Sequence, residues 1–302
     1  MPVPVTIRVN DLYKRYDDVR AVDGVSFEVQ QGEFFGILGP NGAGKTTTLE
    51  IIEGLREADS GEVTLLGMAP WPRNPAILPR IGVQLQATSF FERLTVREQI
   101  RTFASLYGVP PGEADKMLDI VGLSDRAGAR TEKLSGGQAQ RLSIACALVH
   151  RPEVLFMDEP TSGLDPQARR NLWDLLRQIN SEGHTVVLTT HYMDEAETLC
   201  DRVAIMDHGQ ILKLGPPAAL VRGLDSPVRI IIASGQLPAA DAAQLSGGAE
   251  VNDDGVSLTI STRDPATILA RLAERDALAG LQVRAATLED LFLDLTGREY
   301  RA

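Results

Sequence analysis

The sequence has few cysteines, no long apolar runs and no excess of positive charge. Only two of its 302 residues are cysteines, Cys146 and Cys200, and we expect both thiols to be small buried groups rather than disulfide or metal ligands. Apolar runs such as 144–149 fall far short of the roughly 20 residues that cross a bilayer. Residues 1–11 lack a basic stretch followed by an apolar core, so we expect no signal peptide and a cytoplasmic location.

The net charge of −11 makes nucleic acid an unfavourable partner, because binding to its phosphate backbone needs a basic surface. We therefore expect no nucleic-acid partner. An apolar content of 43% is enough to bury a full core, and the length indicates one large domain with a smaller one.

Two kinds of strand pattern occur in the first 215 residues. Residues 25–29 and, more weakly, 6–9 alternate apolar and polar side chains, which indicates an antiparallel edge. Residues 154–157 and 185–189 are continuous apolar runs, typical of strands covered on both faces in a parallel sheet. Between these runs, an apolar stripe starting near Pro166 and ending at Gly183 predicts a helix. The fold class is therefore α/β.

A second pattern starts after a boundary between about 216 and 228. Its order is strand (228–232), helix (239–245), a strand hairpin turning at 253–255, helix (266–275) and strand (282–285). This βαββαβ order predicts a ferredoxin-like α+β domain. We accordingly divide the chain into domains at 1–217 and 218–302.

A glycine-rich segment follows the apolar residues 34–38 and precedes a predicted helix. It fits the pattern G-x-x-x-x-G-K-[ST], in which backbone N–H groups and a helix N-terminus face phosphate. Lys45 would neutralise the β and γ oxygens and Thr46 would hold Mg²⁺. The segment consists of Gly39, Pro40, Asn41, Gly42, Ala43, Gly44, Lys45, Thr46 and Thr47.

Two acids end the apolar run at 154–157, at the strand end where α/β sheets bind ligands. We expect Asp158 to orient magnesium and its waters, and Glu159 to polarise a water against the γ-phosphate. An Asp-Glu pair by itself is usually an exposed strand end. The phosphate-binding pattern upstream favours the catalytic interpretation.

A second glycine-rich helix start, also suited to anions, lies between these halves. A Ser-Gly-Gly sequence alone is more often a flexible turn. Here it precedes an apolar stripe that predicts a buried helix. The segment is Leu134, Ser135, Gly136, Gly137 and Gln138.

Together, these motifs over residues 5–216 resemble the ATP-binding cassette (ABC) ATPases. The resemblance implies a P-loop NTPase cassette with a RecA-like α/β core, an antiparallel β subdomain and a helical signature subdomain at about 87–150. It also implies ATP and Mg²⁺ as cofactors. The family's adenine-stacking aromatic corresponds to Tyr16, with Tyr13 as the competing candidate. Its magnesium-touching glutamine corresponds to Gln86, with Gln84 nearby.

The resemblance also implies a head-to-tail dimer, in which ATP on Lys45 of one subunit is capped by Ser135 and Gly137 of the other. Residues 162–165 match the loop that crosses this interface, and His191 matches the histidine that contacts the γ-phosphate. Partners would be a second ATPase subunit and a separate membrane permease that docks near 87–108, holding the chain at the cytoplasmic face of the membrane.

The C-terminal extension, with a helical apolar pattern at 288–295, resembles that of bacterial drug and antibiotic exporter ATPases. This helix could pack on its own domain or help two subunits to dimerise. The alternatives to an exporter ATPase are a soluble cassette acting on ribosomes or chromosomes and an ATP-gated scaffold without catalysis. The acidic residues 194–197 we interpret as a solvated helix face.

Overall fold

A computed structural model describes residues 3–86, 90–224, 227–233, 237–275 and 277–297. The chain divides into two compact units, residues 1–217 and 218–300, described separately below. The first unit contains β1 (Val5–Tyr16), β2 (Val19–Gln30), β3 (Phe34–Leu38), α1 (Lys45–Ile52), β4 (Ser60–Leu65), β5 (Ile81–Gln84), α2 (Val96–Leu106), α3 (Pro111–Ile120), α4 (Gly136–Leu148), β6 (Val154–Asp158), α5 (Pro166–Ser181), β7 (Thr185–Thr190), α6 (Met193–Leu199), β8 (Arg202–Asp207) and β9 (Gln210–Gly215). Helix α7 (Pro217–Arg222) crosses the boundary.

The antiparallel edge expected from the alternating patterns is a three-stranded sheet in the order β2-β1-β4. Strand β1 continues well beyond Val9, where the sequence pattern stopped. Its pairing with β2 shifts register between Val9 and Leu12, and such a bulge changes which face the following side chains occupy. The alternation of two is therefore broken although the strand continues, and Leu12 is buried.

The central sheet has six strands in the order β5-β6-β7-β3-β8-β9, parallel except for the final antiparallel pair. Strands β3, β6 and β7 are buried along their whole length, as their apolar runs predict. A turn at His208 and Gly209, both with positive φ, joins β8 to β9. Parallel strands bring the carboxyl ends of β3, β6 and β7 to one edge of the sheet.

Between β5 and β6 the chain forms helices α2, α3 and α4, with α2 packed on the other two. These helices fall within the range 87–150 expected for a helical subdomain, although residues 87–89 of that prediction lie outside the described part.

The second unit contains β10 (Val228–Ala233), α8 (Ala239–Leu245), β11 (Glu250–Asp253), β12 (Ser257–Thr262), α9 (Pro265–Ala273), β13 (Gln282–Arg284) and α10 (Leu288–Thr296). Its sheet has the order β11-β12-β10-β13 with antiparallel pairing throughout. This is the split βαβ order of ferredoxin-like sheets. Ile230, Ile232, Leu258 and Ile260 form the centre of its own hydrophobic core.

Candidate functional site

The glycine-rich loop lies between the buried strand β3 and helix α1. At two of its positions, neighbouring backbone comes too close for a Cβ atom. Gly44 has φ 101°, and a Cβ atom there would lie 2.1 Å from the Ala21 carbonyl oxygen. A Cβ at Gly39 would lie 2.3 Å from the carbonyl oxygen of Met206. Both positions therefore require glycine. The loop leads directly into the N-terminus of α1, which begins at Lys45.

Lys45 is 4% exposed and its ammonium group points back into the loop. Nζ donates hydrogen bonds to the carbonyl oxygens of Gly39 (2.9 Å) and Pro40 (3.2 Å). It also forms an ion pair with Glu159, with 3.1 Å between Nζ and Oε1. The structure thus brings together the lysine and the acid that the sequence placed 114 positions apart (159 − 45).

Glu159 follows the last residue of β6 and has a positive φ of 47°. Its N–H donates to Thr189, to the carbonyl oxygen at 3.2 Å and to Oγ1 at 3.0 Å. Because a left-handed conformation is costly for a residue with a Cβ, these bonds from β7 are what hold the backbone in it. The conformation directs the carboxylate into the site.

Three further side chains contact the Glu159 carboxylate at Oε2. Ser162 Oγ donates to it at 3.0 Å, His191 Nδ1 lies at 3.0 Å and Gln86 Nε2 donates at 3.5 Å. Burial raises the pKa of Glu159, but Lys45, His191 and Ser162 together outweigh that effect, so the pKa lies below its ordinary value. The acid is therefore ionised near neutral pH and able to accept a proton.

Asp158, the last residue of β6, contacts two hydroxyl groups. Thr46 Oγ1 donates to Asp158 Oδ1 at 3.2 Å, and Thr189 Oγ1 donates to the same oxygen. Burial raises the pKa of Asp158, opposed by the hydrogen bonds from Thr189 and Thr46. The role of Thr189 in holding both acids was not predicted from the sequence. Thr189 is one of three threonines in β7, and no local pattern distinguishes it from the other two.

The Thr46 hydroxyl and the Asp158 carboxylate suit magnesium, which needs few ligands from the protein, better than a metal ion that is held by protein ligands alone. Mg²⁺ is commonly bound by one or two carboxylates together with substrate phosphates. Thr46 and Asp158 offer a hydroxyl and a carboxylate oxygen side by side. Among the described residues, no group of three His, Cys, Asp or Glu side chains could hold a metal ion.

The sequence left two choices open, between Gln84 and Gln86 and between Tyr13 and Tyr16, and the two members of each pair differ in their surroundings. Gln84 is 1% exposed and donates to the Leu85 carbonyl, whereas Gln86 lies outside β5 and contacts Glu159. Tyr13 and Tyr16 are equally exposed on β1. A hydrogen bond to Asp11 raises the pKa of the Tyr13 phenol, while Tyr16 faces the Arg56 guanidinium, 5.2 Å from its ring centroid.

The second glycine-rich helix start is separate from the Lys45 network in the described part of the chain. Ser135 and Gln138 form a capping box at the start of α4. Ser135 and Gly136 are exposed, and a Cβ at Gly137 would lie 3.1 Å from the Ala168 side chain. Within the described ranges of the chain, residues 135–138 thus present an open helix N-terminus, and the side-chain hydrogen bonds of Ser135 and Gln138 stay within these four residues.

One expectation was wrong. The acidic residues 194–197 are not a uniformly solvated face, because Glu195 is 0% exposed while Glu197 is exposed. The period of a short helix turned Glu195 toward the sheet, where Trp173 Nε1 donates to it at 3.0 Å. Both cysteines are free and buried, as predicted. Among the described residues, every helix is too short or too polar to cross a bilayer.

Known proteins provide an independent comparison. A family model described as "ABC transporter" matches residues 22–162. The Nod factor export ATP-binding protein I of Burkholderia thailandensis is 42% identical over 291 residues, covering 95% of each chain. The linearmycin resistance ATP-binding protein of Bacillus subtilis is 38% identical over 309 residues, covering 98% of this chain and 99% of that protein.

A solved dimeric bacterial ABC transporter cassette shares the fold, with a TM-score of 0.64 and 28% identity, covering 70% of this chain and 98% of that one. Identity above 40% over nearly the full length leaves no room for a chance match to one motif. With the phosphate loop, the acid pair and the histidine gathered at one sheet edge, the chain belongs to the ABC transporter family as an ATP-binding, ATP-hydrolysing subunit of the exporter type.

Proposed function

We propose that Glu159 is the general base of ATP hydrolysis and that its neighbours hold the phosphates and the attacking water. The contacts of its carboxylate with Lys45, Ser162 and His191, together with that of Gln86, carry this proposal. Phosphoryl transfer depends mainly on positioning and on charge stabilisation, and these four groups supply both. His191 would contact the γ-phosphate, and Gln86 would contact magnesium.

Lys45 links nucleotide binding to the basicity of the Glu159 carboxylate. Its ammonium group neutralises Glu159 and lowers the pKa of that carboxyl. A γ-phosphate in the loop competes for the same ammonium, because both partners are anions within its reach. When Lys45 turns to the phosphate, the pKa of Glu159 rises and the carboxylate becomes a stronger base toward water.

Thr46 and Asp158 would hold magnesium, with Gln86 as a further ligand. Bound there, Mg²⁺ would supply positive charge that neutralises the charge developing on the phosphate. The remaining nucleotide contacts would come from the backbone of residues 39–47 and from the ring of Tyr16.

We further propose that two subunits pair head to tail, so that residues 135–138 of one cap the ATP held by the other. The exposed helix N-terminus at Ser135 supports this proposal, because its unpaired N–H groups attract anions. A dimeric cassette among the similar solved structures supports it too. Residues 1–217 would form the nucleotide-binding domain and residues 218–302 an accessory domain.

A separate membrane subunit would dock on the helical subdomain and hold the chain at the cytoplasmic face of the membrane. A cavity of about 370 Å³ lies between β5 and helices α2 and α4, lined by Leu85, Phe103 and Tyr107 among others. Phe91 (55% exposed) and Leu106 (72% exposed) extend the apolar surface on this part of the unit. Exposed apolar surface of this kind is typical of protein interfaces.

The transported molecules would be drugs, antibiotics or lipid-like compounds. This proposal draws on the two relatives, whose names state export of Nod factor and resistance to linearmycin.

Replacing Glu159 by Gln tests the catalytic assignment. The amide keeps the shape of the side chain but cannot accept the proton, so we expect turnover to fall at least about a hundredfold while ATP affinity is kept. An ATP-dependent dimer should then accumulate, detectable by light scattering after size-exclusion chromatography. Glu153→Gln, an exposed acid just before the same strand, is the matched control and should hydrolyse ATP at the parental rate. Parental turnover in Glu159→Gln contradicts the assignment.

A further inference from the structure

A buried polar cluster lies next to the Lys45–Glu159 network and takes no part in it. Its centre is Glu195 on α6, which is 0% exposed. Thr161 (0% exposed) and Thr190 (1% exposed) belong to it, as does Trp173 on α5. Burying an acid costs several kcal/mol unless the group is paired, so this carboxyl needs a physical reason to be there.

The Glu195 carboxyl joins three segments that each carry or adjoin a site residue. Trp173 Nε1 donates to Oε1 from α5, the helix that follows the loop 161–165. Thr190 Oγ1 accepts the N–H of Tyr192 at 2.9 Å, which leaves its hydroxyl hydrogen free to point toward Glu195. Burial raises the pKa of Glu195, opposed by Thr190, Trp173, Thr161 and the charge of Arg169.

Thr161 Oγ1 lies within reach of the Glu195 carboxyl. Among the described residues, Thr161 Oγ1 and Glu195 Oε2 are both fully buried and neither has a partner outside this cluster. A hydrogen bond from the Thr161 side chain opposes the rise in the pKa of Glu195. Since an unmade buried hydrogen bond costs about 1–3 kcal/mol, this bond favours one position of the loop that carries Thr161.

The loop that carries Thr161 also carries a site residue. Thr161 precedes Ser162, whose hydroxyl donates to Glu159 Oε2, and the Leu164 N–H donates to the Thr161 carbonyl oxygen at 3.2 Å. On the other side of Glu195, Thr190 precedes His191, whose Nδ1 lies 3.0 Å from the same Glu159 oxygen. Two of the three groups that meet at Glu159 Oε2, Ser162 and His191, are therefore anchored, one residue away, beside one buried carboxyl.

We propose that Glu195 is a positioning residue for hydrolysis: it accepts hydrogen bonds from Thr161 and Thr190, and so fixes the neighbouring Ser162 and His191 on Glu159. In this role Glu195 touches neither the nucleotide nor the attacking water. This inference rests on the proposed role of Glu159.

Two near-isosteric variants of the full chain test the proposal in steady-state ATPase assays. Glu195→Gln weakens the acceptor and Thr161→Val removes the donor. We expect each to lower kcat about tenfold with KM within about twofold, because positioning of the reacting groups is lost and nucleotide binding is not. The double variant should lose little more than either single one, since both remove the same bond. Glu197→Gln, an exposed acid on the same helix, is the matched control.

The indole N–H signal of Trp173 reports on Glu195. If Glu195 only stabilised the fold, ATP would not change this signal. The chain has two tryptophans, so Trp71→Phe leaves one indole N–H signal in a spectrum of the ¹⁵N-tryptophan-labelled protein. We expect this signal to shift when ATP is added to a Glu159→Gln background, and the shift to vanish in Thr161→Val. A shift that persists unchanged in Thr161→Val contradicts a link from the site to Glu195 through Thr161.

The outcomes separate this inference from the proposed function. If Glu159→Gln abolishes turnover while Glu195→Gln and Thr161→Val keep the parental kcat, only the positioning role is wrong. If Glu159→Gln itself keeps turnover, the proposed function fails and this inference with it. Should Glu195→Gln fail to fold, Thr161→Val alone still decides, because parental kcat in that variant overturns the proposal.

Discussion

At the scale of single residues, buried acids set the chemistry of this protein. Glu159 is ionised because Lys45 lies beside it, whereas Glu53 at the end of α1 has no comparable cation among the described residues. Burial raises the pKa of Glu53 to about 8 from its ordinary 4.5, with Asp158 and Glu50 adding to the effect. The first unit therefore contains one buried acid that is stabilised as an anion and another that is stabilised as a neutral group.

The raised pKa of Glu53 predicts a pH-dependent stability. The folded chain holds this proton more tightly than the unfolded chain, so the free energy of unfolding falls as pH rises from about 4.5 to about 8 and then levels off. Glu53→Gln removes the titration. We expect the substitution to raise the free energy of unfolding by at least about 1 kcal/mol more near pH 8.5 than near pH 5.

Urea unfolding of both proteins at the two pH values measures this difference. Glu62→Gln, an exposed acid on β4, is the control and should change stability equally at both. A stability difference for Glu53→Gln that is the same at both pH values contradicts the assigned pKa.

At the scale of elements, two helices of the same subdomain begin with the same capping arrangement. Ser135 with Gln138 caps α4, and Thr95 with Glu98 caps α2. In both, the hydroxyl accepts an N–H of the first turn while the residue three positions on accepts the cap's own N–H. Only the start of α4 combines this cap with two glycines, which leave its N–H groups open to a ligand.

The shared cap separates the structural role of Ser135 from the functional one. Ser135→Ala and Thr95→Ala should each lower the free energy of unfolding by about 1 kcal/mol. We expect only Ser135→Ala also to lower ATP turnover and ATP-driven dimerisation about tenfold, because in the proposed head-to-tail dimer it would remove a hydrogen bond to a charged phosphate across the interface. Equal ATPase rates in the two variants would show that Ser135 acts as a helix cap alone.

At the scale of the whole molecule, the two units have separate cores. Ile7, Phe35 and Val187 belong to the core of the first unit, and Ile230 and Ile260 to that of the second. The last helix, α10, buries Leu288, Leu291 and Phe292 while Leu293 stays 43% exposed. The apolar pattern that left two roles open in the sequence thus belongs to a helix with one covered face.

A truncated chain ending at residue 217 tests what the second unit contributes. The first unit should fold and bind ATP because its core is complete without the second. We expect its ATP-driven dimer, in a Glu159→Gln background, to dissociate at least about tenfold more readily than that of the full chain, because a second contact raises the effective concentration. Sedimentation measures the dissociation constants of the two dimers. Equal constants would show that the second unit does not stabilise the dimer.

Several features of this protein could be predicted from the sequence because they depend on residues close together in the chain. They are the glycine-lysine loop after one apolar strand, the two acids after another, and the period of each helix. Tertiary structure decided which groups meet. The positive φ of Glu159, its contact with Lys45 and the placement of Gln86 rather than Gln84 all depend on neighbouring strands.

The burial of Glu195 and Glu53 shows the limit of the sequence most clearly. Glu195 occurs in an acidic stretch that suggests solvent, and Glu53 directly follows the last residue of α1, yet both side chains are buried. Local patterns record the preferences of one segment at a time. Burial, and with it the pKa of an acid, is set by contacts between segments that are far apart in the sequence.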